Sequence, residues 1–524
     1  MHPFRKTRSN VQSLIVSSAE SLYRVLDRIN QGGKGIAFVV NSKEHFLGTI
    51  TDGDIRRAIL AKCSLETPTF HLLDKNSFVF NEILNSYHDK HTVEKLKQSS
   101  ISAPIHTPLK ELLQLVNDRV KIIPLVDHRN KVVDYFEYES SFYAPIASPN
   151  IKGNEINYII DCIETNWISS QGKYVDLFEK QFAQFCGAKF GVAVCNGTAA
   201  LHLALVAAGI GNGDEVIVPD LTFAATVNSV LHAGATPVIV DIEEDSWCID
   251  PDRIQSALTP KTKAILPVHL YGQPANMIKI KQIAEKNDLI IIEDCAEAIG
   301  AKMNGKNVGS WGNIGCFSFF GNKIITTGEG GMCVTSDDGL RQKLRCFRDH
   351  GMSHEHKYWH KIIGYNYRLT NLQAAIGVAQ LEKIDRILYR RTQIRNMYEK
   401  RLGRLSVMKR QNKLPDRDSV VWLVSYLLDP AVDRNKLISA VKKMGVDLRP
   451  FFYPLSKMPL YKKFARSFSP VAHNLSCRGL NLPTSVSFSD FEIIKIAKII
   501  EKQVERLVGA RRLPKRYQKA MPEV

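Results

Sequence analysis

A single lysine, Lys323, stands in the run Phe317-Ser-Phe-Phe-Gly-Asn-Lys-Ile-Ile-Thr-Thr-Gly-Glu-Gly-Gly-Met332, between a polar turn and a cluster of glycines. An amine that attacks an aldehyde must be partly deprotonated and rigidly placed, and glycines beside it let a planar ligand approach the backbone. The chemistry this suggests is Schiff-base formation. An isolated lysine is usually a surface residue, so its neighbours must carry the argument. Upstream, Leu289-Ile-Ile-Ile-Glu-Asp294 is an apolar run with an acidic end. Asp294 would answer a pyridinium nitrogen, or else cap the following Cys295-Ala-Glu-Ala-Ile299. In Cys195-Asn-Gly-Thr-Ala-Ala-Leu-His-Leu-Ala204, a glycine and a threonine precede an apolar helical stretch. Free amides there suit a phosphate, although N-G-T is also an ordinary capped turn. Phe223, in Thr222-Phe-Ala-Ala-Thr226, is placed to stack on a planar cofactor or to pack in the core. Ser318 and Asn322 flank the lysine as candidate phosphate donors.

Such residues need a framework to bring them together. From residue 150 to about 415, apolar runs alternate with helical patterns as βαβ units do. Candidate strands are 190–194, 215–219, 237–241, 264–268, 289–294 and 331–335, the makings of a mostly parallel sheet covered on both faces. Residues 416–510 mix strands, such as 420–428, with helices and form a smaller C-terminal subdomain; 511–524 is a basic tail. Residues 141–149, with two closely spaced prolines, form a linker.

Residues 1–140 have a different pattern. Strand Ile36–Val40, a turn, strand Phe46–Thr51 and a helix from Asp52 are echoed by Ile122–Val126, the turn 127–130 and Lys131–Phe136, which predicts an internal duplication.

The chain has 524 residues, 44% of them hydrophobic and 23% charged, the balance of a folded globular protein of several domains. Ten cysteines show no zinc-like spacing, which implies free thiols, no metal centre and a reducing, cytoplasmic setting. The net charge of +17 suits an anionic small substrate. Its basic runs, Arg5–Arg8 and Arg511–Arg516, are short and accompany no nucleic-acid-binding motif. Neither a membrane span nor an export signal is expected.

The stretches Asn166–Gly172, Asn196–Leu201, Pro219–Ala225, His269–Pro274, Glu293–Ala298, Ser318–Lys323, Thr326–Met332, Gly364–Asn371 and Ser476–Pro483 occur in an order that resembles the DegT/DnrJ/EryC1/StrS sugar aminotransferases. The resemblance covers about residues 148–508. It implies an α/β, aspartate-aminotransferase-like (fold type I) enzyme that uses pyridoxal phosphate. Carried over, Lys323 forms the Schiff base with the cofactor and Asp294 pairs with its ring nitrogen. Phe223 stacks on the ring, while Gly197, Thr198, Ala199 and Ser318 hold the phosphate. Asn366 reaches the phosphate of a neighbouring protomer, which implies a homodimer with shared active sites. Glu297 replaces the commoner glutamine or histidine near the phenolic oxygen. Relatives with histidine at the lysine position dehydrate sugars, and Lys323 places the chain outside that branch.

The implied reaction moves an amino group from glutamate to a nucleotide-linked keto-sugar. The combination of 317–323, 293–298 and 449–454 is most similar to the branch that aminates carbon 4 of GDP-4-keto-6-deoxy-mannose for cell-surface polysaccharide; UDP- and dTDP-linked keto-sugars are the alternative. A competing class, a cofactor-binding regulator without turnover, fits the intact lysine, aspartate and phosphate turn less well. The front region resembles a pair of CBS modules, an α+β unit that often binds adenosine nucleotides. Thr51 and Asp54 match the family's T-x-x-D, whereas the second copy has Asp134, Glu137 and Ser140 in place of glycine, threonine and aspartate. At most one nucleotide site is implied, and a scaffold without ligand is the alternative.

Overall fold

The computed structural model describes residues 11–60, 62–73, 101–116, 120–137, 142–353 and 355–512. Ser140, the basic run at 5–8 and all but the first residues of the basic tail lie outside them. The chain divides into two compact units, Met1–Ser141 and Phe142–Val524.

The first unit is built twice from one pattern. Ile15–Ser17 pairs in parallel with Ile36–Val40, which pairs antiparallel with Phe46–Thr51. Ala103–Pro104, Ile122–Val126 and Val132–Glu137 repeat that arrangement. Each hairpin slips register at its end, between Val39 and Val40 in the first copy and between Leu125 and Val126 in the second. Leu14, Phe38, Val40 and Phe46 share a core with Val132 and Tyr135 of the other copy. At its margin Lys34 Nζ donates to both Glu137 oxygens, at 2.9 and 2.7 Å.

The second unit centres on a seven-stranded sheet in the order Phe190–Val194, Gly331–Thr335, Ile314–Ser318, Ile290–Asp294, Thr262–Ile265, Glu215–Pro219, Thr236–Val240. All pairs are parallel except those made by Gly331–Thr335, which is antiparallel to both neighbours. Ile314–Ser318, a strand not expected from the sequence, and Gly331–Thr335 are buried at every position, so neither alternates apolar and polar residues. The helix Gly197–Ala207 is apolar nearly all round and is packed on several sides, against Ile314–Ser318, Gly331–Thr335 and the helix Ala224–His232.

A four-stranded antiparallel sheet, Met408–Arg410, Val424–Leu428, Gly479–Leu482 and Arg449–Pro450, forms the smaller lobe with the helices Ile384–Leu402, Arg434–Lys442 and Asp490–Arg512. Its core includes Ile394, Tyr398 and Leu402, so this lobe starts upstream of residue 416. The linker expected over 141–149 is also corrected. Ala144 bridges Val446 in parallel, the Thr484 amide donates to Ile146 O at 2.8 Å, and the Ser148 and Ser485 hydroxyls lie 2.6 Å apart. Backbone groups of residues 144–148 thus pair with the lobe instead of linking freely.

Candidate active site

Asp294 ends a central strand of the large sheet, where the carboxyl ends of parallel strands gather ligands. It is buried, and Thr226 Oγ1 donates to its Oδ2 at 2.9 Å while the Ala296 amide donates to Oδ1 at 3.2 Å. Thr226, in the helix Ala224–His232, is fixed in turn by Thr222 just before that helix, their hydroxyls 2.8 Å apart. Burial raises the Asp294 pKa, opposed by the Ala296 and Thr226 hydrogen bonds and by the charge of Lys323. A cation set against this carboxylate would complete the balance.

Lys323 follows the tight turn after Ile314–Ser318, its amide donating to Phe320 O at 2.9 Å. Arg391, itself buried, donates to Lys323 O at 3.3 Å and to Trp422 O at 2.6 Å, and Trp422 Nε1 donates to Asn322 O at 2.8 Å. The ammonium lies 4.2 Å from the Trp422 ring centroid and 3.9 Å from Glu297 Oε1, with the side chain 14% exposed. Burial lowers the lysine's pKa, opposed by Glu297 and Asp294. Burial likewise pushes Glu297 up to about 7, against the pull of Lys323. Both members of the pair therefore move toward their neutral forms, as a nucleophilic or basic amine requires.

Glu297 is held through Oε2, which accepts from the Tyr271 amide at 2.8 Å, and this leaves Oε1 toward the lysine. Tyr271 has a left-handed backbone, φ 52°, and is followed by Gly272 at φ 93°. A Cβ on Gly272 would come within 2.2 Å of Val420 O, so the turn that delivers the Tyr271 amide requires glycine. The Tyr271 ring stacks at 17° to that of Trp422. Beneath the site, Glu293 accepts from the amides of Gly309, Trp311 and Gly312 and from His269 Nε2, which fixes the strand end that carries Asp294.

The turn before Gly197–Ala207 meets the same strand ends. A Cβ on Gly197 would lie 2.7 Å from Ser318 Cβ, and one on Gly331 would lie 2.5 Å from Asn196 O, so glycine allows these segments to touch. Asn196 Oδ1 accepts from the Ala199 amide at 2.8 Å, which commits that amide to a helix cap. This corrects the expectation for Ala199. Among the described residues the Gly197 and Thr198 amides have no partner in the chain, and they point from a helix N-terminus beside the buried Ser318. Phe223 is 59% exposed, with Phe452 5.7 Å away between ring centroids; it presents a face rather than filling the core.

Asn366 is exposed and accepts from Arg368 Nε at 3.0 Å; among the described residues it makes no polar contact with the Lys323 pocket of its own chain. In the first unit, Thr51 Oγ1 donates to Asp54 Oδ2 at 2.6 Å and the Thr51 amide donates to the same oxygen at 2.8 Å. That pair caps its own helix. Thr226, Tyr271, Arg391 and Trp422 were not singled out from the sequence. Only Thr226 had a local signal, its four-residue spacing from Thr222.

The residues present fit pyridoxal phosphate. A buried carboxylate suits a ring nitrogen, an exposed aromatic face suits the ring, two unclaimed helix amides with a serine suit the phosphate, and a desolvated lysine suits the aldehyde. Fold and site together define a pyridoxal-phosphate-dependent aminotransferase. The chain belongs to the DegT/DnrJ/EryC1/StrS aminotransferase family, whose model matches residues 149–501, and residues 9–61 match a CBS domain. It is 45% identical to a GDP-perosamine synthase of Caulobacter vibrioides over 361 residues, 68% of this chain and 97% of the relative. It is 44% identical to a GDP-perosamine synthase of Escherichia coli O157:H7 over 360 residues, 69% of this chain and 98% of the relative. Among solved structures, the PLP-form of Spr1654, a putative sugar aminotransferase from Streptococcus pneumoniae, aligns with TM-score 0.66 and 27% identity, covering 70% of this chain and all of that one.

Proposed function

We propose that this aminotransferase moves the amino group of glutamate to carbon 4 of GDP-4-keto-6-deoxy-mannose, forming GDP-perosamine for cell-surface polysaccharide. What carries the substrate is the similarity to GDP-perosamine synthases at 41–45% identity over nearly their whole length. When bound, pyridoxal phosphate supplies a ring that accepts the electron pair left as a proton departs from the amino acid. The Lys323 amine, whose pKa burial lowers, would relay that proton from the donor's α-carbon to the exocyclic carbon of the cofactor, and in the second half would relay a proton from there to the sugar carbon. Asp294, whose rise toward the neutral form is opposed by the hydrogen bonds from Thr226 and Ala296, would hold positive charge at the ring nitrogen. Phe223 orients the ring, and Gly197, Thr198 and Ser318 anchor the phosphate. Asn366 completes the site of a second protomer in a homodimer.

Assay of the purified protein with glutamate and a panel of keto-sugars linked to GDP, UDP or dTDP tests the reading. Turnover of the GDP-sugar is expected, and turnover confined to a UDP- or dTDP-sugar would overturn the choice. The adenosine-nucleotide role of Thr51 and Asp54 rests on the T-x-x-D spacing; equilibrium dialysis with ATP and AMP, wild type against Asp54→Ala, tests it.

A further inference from the structure

We propose that a second pocket of the catalytic unit, at the junction of the large sheet domain and the smaller lobe, binds a small phosphate-type dianion. The cavity, about 280 Å³, is walled by Tyr271 and Gln273 of the large domain and by Arg395, Arg410, Lys413 and Arg417. Its lining holds one acidic side chain, Asp418. Lys323, Asp294 and Ser318 do not line it, so it is separate from the cofactor pocket.

Charge and hydrogen bonding both point to an anion. Arg417 meets Glu243 and Asp416 at 3.7 Å each and Arg410 meets Glu399 at 3.5 Å, whereas Arg395 and Lys413 have no ion-pair partner among the described residues. Cations gathered in a partly buried site repel one another unless a negative charge lies between them. Burial and the adjacent Arg410 accordingly push the Arg395 guanidinium below its ordinary range, against the pull of Glu399. Gln273 is 2% exposed and its Nε2 has no hydrogen-bond partner among the described residues; Arg417, 7% exposed, donates through Nη1 to Pro274 O at 3.0 Å, while its Nε makes no hydrogen bond among the described residues and meets Asp416 only at ion-pair distance. Buried donors are nearly always satisfied. A tetrahedral oxyanion offers enough acceptors to meet these donors and cations together.

The pocket is also built to stay open. Gln411 Nε2 donates to Ser246 O at 2.8 Å and Asn412 Nδ2 donates to Asp245 Oδ1 at 2.7 Å, so the loop that carries Arg410 and Lys413 is tied to the large domain. Tyr271, one wall, donates its amide to Glu297 in the cofactor site.

The test is thermal unfolding of the full-length holoenzyme, whose phosphate turn is already filled by cofactor, in inorganic phosphate against chloride at matched ionic strength. A saturable rise in Tm of roughly 3 °C is expected in phosphate. Arg410→Gln should lose at least half of that rise, and so should Lys413→Gln, which changes an exposed side chain and leaves folding intact. Glucose 6-phosphate separates the sources: competition with phosphate indicates a phosphorylated metabolite, and its failure beside a response to phosphate indicates the free ion. Equal responses to phosphate and chloride, or an undiminished rise in both variants, would overturn the proposal.

Discussion

Lys323 is useful because it is a poor cation where it stands. Replacing it with arginine keeps charge and length but removes the nucleophilic amine, and kcat should fall by roughly 10³-fold or more while the folded far-UV signal persists. Glu297 gives a pH prediction with a definite sign. Its carboxyl, raised from 4.5 to about 7 in the fold, binds its proton more tightly folded than unfolded. Below pH 4.5 both states are protonated and no penalty exists; between 4.5 and 7 the apoprotein should lose stability as pH rises, by about 3 kcal/mol in all. Urea titrations across that window should show the slope in the wild-type apoprotein and a flatter one in Glu297→Gln. Thr226→Val removes a donor to the buried Asp294 and should weaken cofactor binding roughly tenfold, read by equilibrium dialysis.

Elements divide into those the sequence specifies locally and those set by distant partners. Gly331–Thr335 appears with the bounds its apolar run suggested, because a strand buried on both faces must be apolar throughout. The strand expected over 420–428 begins only at Val424, since the Val420 amide donates to Gly272 O and Trp422 turns toward Asn322 and Lys323. Nothing within residues 420–423 announces partners about a hundred positions away. The aspartate and the phosphate turn could be singled out because each lies at the end of a strand with a distinctive apolar pattern, and the lysine because a glycine cluster follows it; the strand Ile314–Ser318 that leads to the lysine's turn was not among the strands expected. The Trp422 and Tyr271 walls were not, because an aromatic residue in an apolar run reads as core. At Gly331 the close approach to Asn196 is a backbone matter, so Gly331→Ala should cost about 1–3 kcal/mol in urea unfolding and also loosen cofactor binding, since Asn196 caps the phosphate helix.

Across the whole molecule, each unit has cores of its own, and the relatives are matched over nearly their full length by the second unit alone. Residues 142–524 expressed alone should therefore fold and keep kcat within about twofold of the full chain. A loss of turnover in that fragment, with cofactor still bound, would instead assign the front unit a part in catalysis. The cysteines fit one picture at this scale: all ten are free, and most are buried in the catalytic core. No described helix is long and apolar enough to cross a membrane.

The matching register slips at Val39/Val40 and Leu125/Val126 carry a consequence for the front unit. Two copies whose hairpins slip register at the same place share one core, in which Phe38 of the first meets Tyr135 of the second. A polypeptide containing only the first half would expose Leu14, Phe38 and Phe46, which Val132 and Tyr135 of the second copy cover. Severing the duplication should thus leave an uncovered apolar face, so that the first half alone unfolds more readily or associates as its concentration rises.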